Sequence, residues 1–104
     1  MGAAGRARRL VLLGHPVAQS LSPTFQNAAL CAAGLPATYE ALDVAPAALP
    51  AALDALVAEG AAGNVTAPHK EAVFARCDRV TPMAGQVGAV NTWWVADGLL
   101  VGDN

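Results

Sequence analysis

Three segments of the chain have the hydrophobic pattern of strands: "RRLVLLGH" (8–15), "ATYEALDV" (37–44) and "AAGNVTA" (61–67). The first is an apolar run that ends in glycine, as a buried strand does. In the second, Tyr39, Ala41 and Asp43 alternate with their neighbours, which is the two-residue period of a strand. The last segment, "GAVNTWWVADGLLVGDN" (88–104), has two apolar runs around a central Asp-Gly pair and predicts a β-hairpin.

Helical segments separate these strands. "SPTFQNAALCAAGL" (22–35) has Ser22 before a proline, the usual entry to a helix, and Gly34 to end it. "PAALDALVAEG" (50–60) places its apolar residues on one helical face and stops at Gly60. "PHKEAVFARCD" (68–78) predicts a helix that begins at Pro68, because proline is favoured as the first helical residue. "TPMAGQ" (81–86) predicts a short helical turn.

The order βαβαβα followed by a hairpin predicts an α/β fold. Strands that alternate with helices form a parallel sheet covered on both faces, and the hairpin adds antiparallel strands. We therefore expect a three-layer αβα domain with a mixed, mainly parallel sheet over residues 1–104. No linker or repeat indicates a second domain.

Composition excludes several functional classes. The chain has 55% hydrophobic and 13% charged residues, so it is not a disordered tail. Its net charge is −2 and its six Lys and Arg are scattered apart from Arg6, Arg8 and Arg9, so we expect no nucleic-acid partner. No apolar run is long enough to span a bilayer, and we expect no membrane partner.

The cysteines and histidines do not indicate a metal site. Cys31 and Cys77 have no CxxC spacing, and His15 and His69 lie in turns beside prolines. We expect two reduced, half-buried thiols, no bound metal and a cytoplasmic location.

Ligands of such sheets bind outside the carboxyl ends of the strands. That rule selects the loops Gly14–Ser22 and Asn64–Lys70 and the chain end at Gly102–Asn104. In the first loop, Ser20 and Ser22 place hydroxyls at a helix start, which suits a carboxylate or phosphate. The strong alternative is ordinary helix capping, because a serine before a proline, such as Ser22, is common at a helix start.

The second loop is "NVTAPHK". Asn64 and Thr66 are two apart on a strand and so share a face, where polar groups are costly to bury without partners. Lys70 follows in the first turn of a helix, where the helix dipole makes a cation mildly unfavourable. Either Lys70 points into solvent, or a negative group lies near it. A structural Asn and Thr beside a solvated lysine remains the alternative.

The hairpin adds two polar candidates. Asn91 lies among apolar neighbours on the predicted first strand, and Asp103 ends the second. A buried Asn satisfied by the backbone and a turn Asp are the corresponding structural explanations.

Four motifs in order resemble the substrate-binding domain of shikimate dehydrogenase: "GHPVAQSLSPTFQNAAL", "GNVTAPHK", "GAVNTWW" and "VGDN". The similarity runs from about Leu10 to Asn104. In this family NADPH reduces 3-dehydroshikimate to shikimate, a step of aromatic amino-acid biosynthesis that leads to chorismate. Two departures, Gln19 where the family usually has His and Leu21 where it often has a basic residue, leave quinate or a related acid open as substrate.

The resemblance implies a role for each candidate. Ser20 and Ser22 would hold the substrate carboxylate, and the ring hydroxyls would be met by Asn64, Thr66 and Asn91. Lys70 and Asp103 would be the catalytic pair, with Asp103 as the counter-charge that the lysine's position calls for.

Family members continue past "VGDN" into a Rossmann domain that binds NADP and then return a helix. No GxGxxG follows a strand here, so we expect an isolated substrate domain whose NADP site is missing and which is inactive alone. Apolar surface bared by the missing parts predicts self-association. A stand-alone binding module for a polyhydroxy carboxylate, or an interaction domain with structural polar loops, are the other readings.

Overall fold

The computed structural model describes residues 9–16 and 38–104 of the chain. They form six strands: β1 (Arg9–Gly14), β2 (Thr38–Asp43), β3 (Ala62–Val65), β4 (Arg79–Val80), β5 (Thr92–Ala96) and β6 (Leu99–Asp103). Three helices accompany them: α1 (Leu49–Glu59), which a 3-10 turn (Pro46–Ala48) precedes, α2 (Lys70–Arg76) and α3 (Pro82–Val87). The predicted helix over 22–34 lies outside the described residues.

The strands form one mixed sheet in the order β2-β1-β3-β5-β6-β4. The pairs β1–β2, β1–β3 and β4–β6 are parallel, whereas β3–β5 and β5–β6 are antiparallel. This confirms the α/β fold with a mixed, mainly parallel sheet. The two-residue strand β4 was not predicted, because both of its residues are exposed and no hydrophobic period can be read from two positions.

The main cluster of buried side chains, the core cluster, lies on one face of this sheet. Side chains of the central strands, among them Val11, Leu13 and Trp93, are almost fully buried there. The same cluster takes in the apolar faces of the described helices, with Leu49, Leu53 and Leu56 from α1, Val73 from α2 and Ala84 from α3. The described helices thus cover the face to which odd-numbered residues of β1 point.

The hairpin and the ends of the helices follow local chemistry closely. Gly60 ends α1 in the left-handed conformation at φ 73°. Asp97 and Gly98, at φ 54° and 75°, form the turn between β5 and β6, as expected for an Asp-Gly hairpin. Trp93 is buried and its neighbour Trp94 is only partly buried, in keeping with the alternation of a strand.

Helix α2 begins two residues later than predicted. The Thr66 carbonyl accepts the His69 N–H at 3.1 Å and closes a turn that contains Pro68, and the bond from the Val73 N–H to the His69 carbonyl is helical. The prediction of a start at Pro68 is therefore wrong, because this proline belongs to the turn. Lys70 becomes the first helical residue, still within the first turn.

Candidate functional site

The hydrogen-bonded ladder of the sheet continues past the strand ends at one edge. The Thr66 N–H donates to the Leu13 carbonyl at 2.8 Å. The Val65 N–H donates to the Asn91 carbonyl at 2.9 Å, and the Asn91 N–H donates to the Asp103 carbonyl at 2.9 Å. Thr66, Asn91 and Asp103 therefore lie on adjacent backbone segments at the carboxyl ends of β1, β3 and β6, where ligands of such sheets bind.

Lys70 is attached to the same edge through its backbone. The Val90 N–H donates to the Lys70 carbonyl at 3.0 Å, which joins the start of α2 to the segment just before Asn91. The preceding residue, His69, is only 1% exposed, and its ring Nε2 lies 2.5 Å from the Val44 carbonyl. This buried histidine anchors the helix start to the end of β2, while the Lys70 side chain stays exposed.

A row of polar residues crosses the sheet on the face opposite the core cluster. Asn64 is the register partner of Thr92, and Thr92 is the register partner of Asp103. Directly opposite residues of neighbouring strands share a face, so these three side chains point to the same side of the sheet. The sequence reading did not include Thr92, because its place in this row is visible only once the register is known.

Asn64 is held by neighbours inside the protein. Its Oδ1 accepts the hydroxyl of the buried Tyr39 at 2.8 Å. Its Nδ2 donates to the Asn91 carbonyl at 3.2 Å and lies 3.3 Å from Thr92 Oγ1. Both amide protons are thus directed at protein acceptors. The predicted direct contact of Asn64 with a substrate stays a prediction, and its observed bonds support a role in fixing Asn91 and Thr92.

Asn91 lies just before β5 rather than on it, which corrects the prediction that places it on the strand. Its N–H and carbonyl nevertheless continue the backbone ladder to the ends of β6 and β3, so it lies one residue outside the strand. Its Oδ1 accepts the Thr92 hydroxyl at 3.0 Å. Among residues 9–16 and 38–104, the Asn91 Nδ2, the Thr66 hydroxyl and the Lys70 ammonium have no hydrogen-bond partner.

Asp103 is oriented by the start of α3. The Thr81 hydroxyl donates to its Oδ1 at 2.5 Å. This bond, and secondly the N–H of Asn104, lower the pKa of the Asp103 carboxyl below its usual range, against a smaller opposing effect of burial. Asp103 is therefore a carboxylate at neutral pH.

The ion pair expected between Lys70 and Asp103 is not formed directly in the part of the chain that the structure describes. The ion pairs there involve Arg9, His15 and Arg76. A pairing through a shared substrate oxygen stays a prediction. Ser20 and Ser22, together with Gln19 and Leu21, lie outside the described residues.

The sequence reading missed Tyr39, Thr81 and His69, which support the site by bonding to Asn64, to Asp103 and to the Val44 carbonyl. Thr81 carried a signal, because it precedes a proline at the start of a predicted helical turn. Nothing in the sequence connects it with Asp103, 22 residues further on. The only sequence signal for His69 was its position next to Lys70.

Within the described ranges, no cluster of three or more His, Cys, Asp or Glu residues could hold a metal ion. The helices described there include none that is long and apolar enough to cross a membrane. Cys77 is a half-buried free thiol, and burial is the main cause that raises its pKa. Its predicted counterpart, Cys31, lies outside the described residues.

Comparison with known proteins finds one family over nearly the whole chain. The family model described as "Shikimate dehydrogenase substrate binding domain" matches residues 12–93. The chain is 52% identical over 101 residues to a shikimate dehydrogenase (NADP(+)) of Symbiobacterium thermophilum, covering 96% of this chain and 34% of that protein. The chain thus spans about a third of the length of this relative.

Solved structures of similar proteins share this fold over most of the chain. Shikimate 5-dehydrogenase of Thermus thermophilus in complex with NADP(H) and shikimate superposes with a TM-score of 0.87 at 45% identity, over 92% of this chain and 37% of that one. The ligand-free 5-ketofructose reductase of a Gluconobacter strain superposes with a TM-score of 0.90 at 31% identity, over 95% of this chain and 36% of that one.

Proposed function

Because this chain belongs to the family of shikimate dehydrogenase substrate-binding domains, we propose that it is the substrate-binding half of an enzyme that interconverts 3-dehydroshikimate and shikimate with NADP. The observation that carries the proposal is the convergence of Thr66, Lys70, Asn91 and Asp103 at one edge of the sheet through backbone hydrogen bonds. The similarity to a structure that holds both shikimate and NADP(H) supports the choice of ligands.

NADP does not fit the residues that the structure describes. None of the described strands is followed by a GxGxxG turn, and β1 and β3 run into turns that contain Pro16 and Pro68. We therefore propose that NADP is bound by residues other than those described, and the proposed chemistry concerns only how this chain binds the substrate and handles its proton.

Binding of the substrate is divided between its two ends. Ser20 and Ser22 are proposed to bind the carboxylate, which does not change during the reaction, so they supply uniform binding. Thr66 and the Asn91 Nδ2 are proposed to bind ring hydroxyls, because their polar groups have no partner among the described residues. Asn64 supports this end by its bonds to Asn91 and Thr92.

Lys70 and Asp103 are proposed to act on the oxygen that changes. When the ketone is reduced, negative charge develops on that oxygen, and the Lys70 ammonium would donate the proton that makes it a hydroxyl. The same positive charge stabilises the transition state. Asp103, ionised and fixed by Thr81, would accept a hydrogen bond from the hydroxyl and place it against Lys70.

Lys70 should accordingly affect turnover more than affinity. In an enzyme that joins this domain to its cofactor domain, Lys70→Met should lower kcat about a hundredfold or more, the scale of general acid catalysis, with a smaller change in KM. Arg9→Met is the matched control, because it removes a cation at the opposite end of β1, where it makes only exposed ion pairs. An unchanged kcat for Lys70→Met would remove Lys70 from the mechanism.

Substrate identity is tested on the chain itself. Shikimate titrated into isotopically labelled protein should shift the amide signals of Thr66, Lys70, Asn91 and Asp103, and quinate should do so more weakly. A second candidate, a reductase domain for another polyhydroxy ketone, is favoured by the similarity to 5-ketofructose reductase. Shifts caused by 5-ketofructose and not by shikimate would establish that alternative and overturn the first.

A further inference from the structure

One residue outside the set of predicted ligands contacts the proposed catalytic carboxylate. Thr81 lies at the junction of β4 and α3, where its carbonyl accepts the Gly85 N–H at 3.0 Å and it makes three further hydrogen bonds. Its hydroxyl donates to Asp103 Oδ1 at 2.5 Å, and the same oxygen accepts the Ala84 N–H at 3.3 Å. Its own N–H donates to the Gly102 carbonyl at 3.0 Å.

These bonds fix the direction of the hydroxyl proton. A threonine hydroxyl has one proton and two lone pairs. Because the Ala84 N–H is a donor, it takes a lone pair, and the single proton is left for the carboxylate. The backbone bond to Gly102 holds the Cα of Thr81 beside the residue that precedes Asp103. The hydroxyl is therefore placed from two sides, by the helix start and by β6.

We propose that Thr81 is a positioning residue for Asp103, which holds one carboxylate oxygen so that the other is directed at the substrate hydroxyl. The proposal rests on the function proposed above for Asp103. It explains why a short helix begins beside this strand: the cap of α3 and the orientation of the carboxylate use the same side chain. The lowered pKa of Asp103, of which the Thr81 bond is the largest cause, agrees with this arrangement.

A purely structural cap is the competing explanation. It predicts that loss of Thr81 weakens α3 and nothing more, by about 1 kcal/mol as for other caps. Gln86→Gly imitates that loss, because Gln86 is an exposed residue of α3 and glycine costs a helix about the same. Thr81→Val removes the hydroxyl at nearly constant shape, and Thr81→Ser keeps it.

The decisive measurement is the titration of the Asp103 carboxyl carbon by NMR in the 104-residue chain, between pH 2 and 7. In the wild type, Thr81→Ser and Gln86→Gly, the pKa of Asp103 should stay below its usual value. In Thr81→Val it should rise toward that usual value, about 3.9. An unchanged pKa in Thr81→Val, or an equal rise in Gln86→Gly, would overturn the proposal.

The affinity for shikimate gives a second readout. Thr81→Val should weaken binding at pH 7 about tenfold, the scale of one hydrogen bond to a charged group, while Thr81→Ser and Gln86→Gly bind as the wild type does. Equal weakening in all three variants would contradict the positioning role. If the wild-type chain does not bind shikimate at all, the proposed function fails, whereas the carboxyl titration still reports whether Thr81 controls Asp103.

The proposal can also be tested without any variant, in case Thr81→Val does not fold. In the wild-type chain, the Cβ signal of Thr81 should change at the pH at which the Asp103 carboxyl titrates, because a protonated carboxyl is a weaker hydrogen-bond acceptor than a carboxylate. A flat Thr81 signal across that titration would mean that the hydroxyl does not bond to Asp103 in solution, and the proposal would be wrong.

Discussion

Gly102 is the residue of β6 at which a single methyl group should disturb the candidate site. It is buried beside Asp103, and its carbonyl accepts the Thr81 N–H. A Cβ built on Gly102 would lie 2.6 Å from Val90 Cγ2 and 2.7 Å from Cys77 Sγ. Ordinary contacts begin near 3.4 Å, so Gly102→Ala requires these atoms and β6 to separate by 0.8 Å and 0.7 Å (3.4 − 2.6 and 3.4 − 2.7).

Overpacking of a core on this scale costs about 1–3 kcal/mol. Both contacts are shorter than 3.0 Å, so we expect the upper half of that range, about 2–3 kcal/mol. Alanine also lowers the conformational entropy of the unfolded chain, which offsets about 0.4–1 kcal/mol of this cost. The net destabilisation should therefore be about 1–2.5 kcal/mol. For a domain of this size, that lowers Tm by roughly 4–20 °C. Thermal unfolding followed by far-ultraviolet circular dichroism measures it directly.

A double-mutant cycle with Val90→Ala isolates the cause. That substitution removes two of the three atoms nearest to the new methyl group and costs about 1.6 kcal/mol for the two lost methyl groups, plus a cavity contribution. Combined with Gly102→Ala, the total should be smaller than the sum by at least about 1 kcal/mol, because each change relieves the other. Additivity within about 0.3 kcal/mol, or a wild-type Tm for Gly102→Ala, would refute the reasoning.

Two further predictions concern stability. Gly63→Ala should destabilise by at least about 2 kcal/mol, because a Cβ there would overlap the Val11 carbonyl oxygen and break the β1–β3 pairing. Gly85→Ala, where the nearest neighbour of a new Cβ lies at 4.0 Å, should instead stabilise α3 by up to about 1 kcal/mol. Unfolding midpoints in urea measure both effects, and a midpoint equal to that of the wild type would contradict the prediction for that variant. Burial raises the pKa of Tyr39, so the folded state favours the neutral phenol. The contribution of this preference to the free energy of unfolding is complete below about pH 10 and is lost as the pH rises through the folded pKa. Tyr39→Phe should lack that alkaline loss but be less stable by about 1 kcal/mol at pH 7, since Asn64 loses a donor; an identical alkaline loss in this variant would assign the effect to another group.

Much of the fold could be predicted from the sequence because it depends on neighbours along the chain. The apolar run of β1 requires burial wherever it lies. Gly60 ends a helix, and Asp97-Gly98 turns a hairpin, because their backbone conformations are set by one or two residues. The same reasoning placed Lys70 in a first helical turn and Asp103 at a strand end, and motif order connected both with one family.

The register and the partners of the site residues required the tertiary structure. Strand β4 exists because Arg79 and Val80 lie beside β6, not because of their own pattern. The start of α2 moved to Lys70 because the residues before it close a turn onto the end of β3.

The hydrogen-bond partners of Asn64 and Thr81 could not be predicted from the sequence either. Asn64 bonds to residues 25 to 28 positions away, and Thr81 bonds to Asp103 across 22 positions. A hydrogen bond of this kind depends on distance and direction in three dimensions, which no periodicity along the chain contains. The sequence by itself thus determined which residues are polar at the strand ends. Only the packing of the sheet decided that Asn64 is bound by the protein, while Thr66, Lys70 and Asn91 keep polar groups without a partner among the described residues.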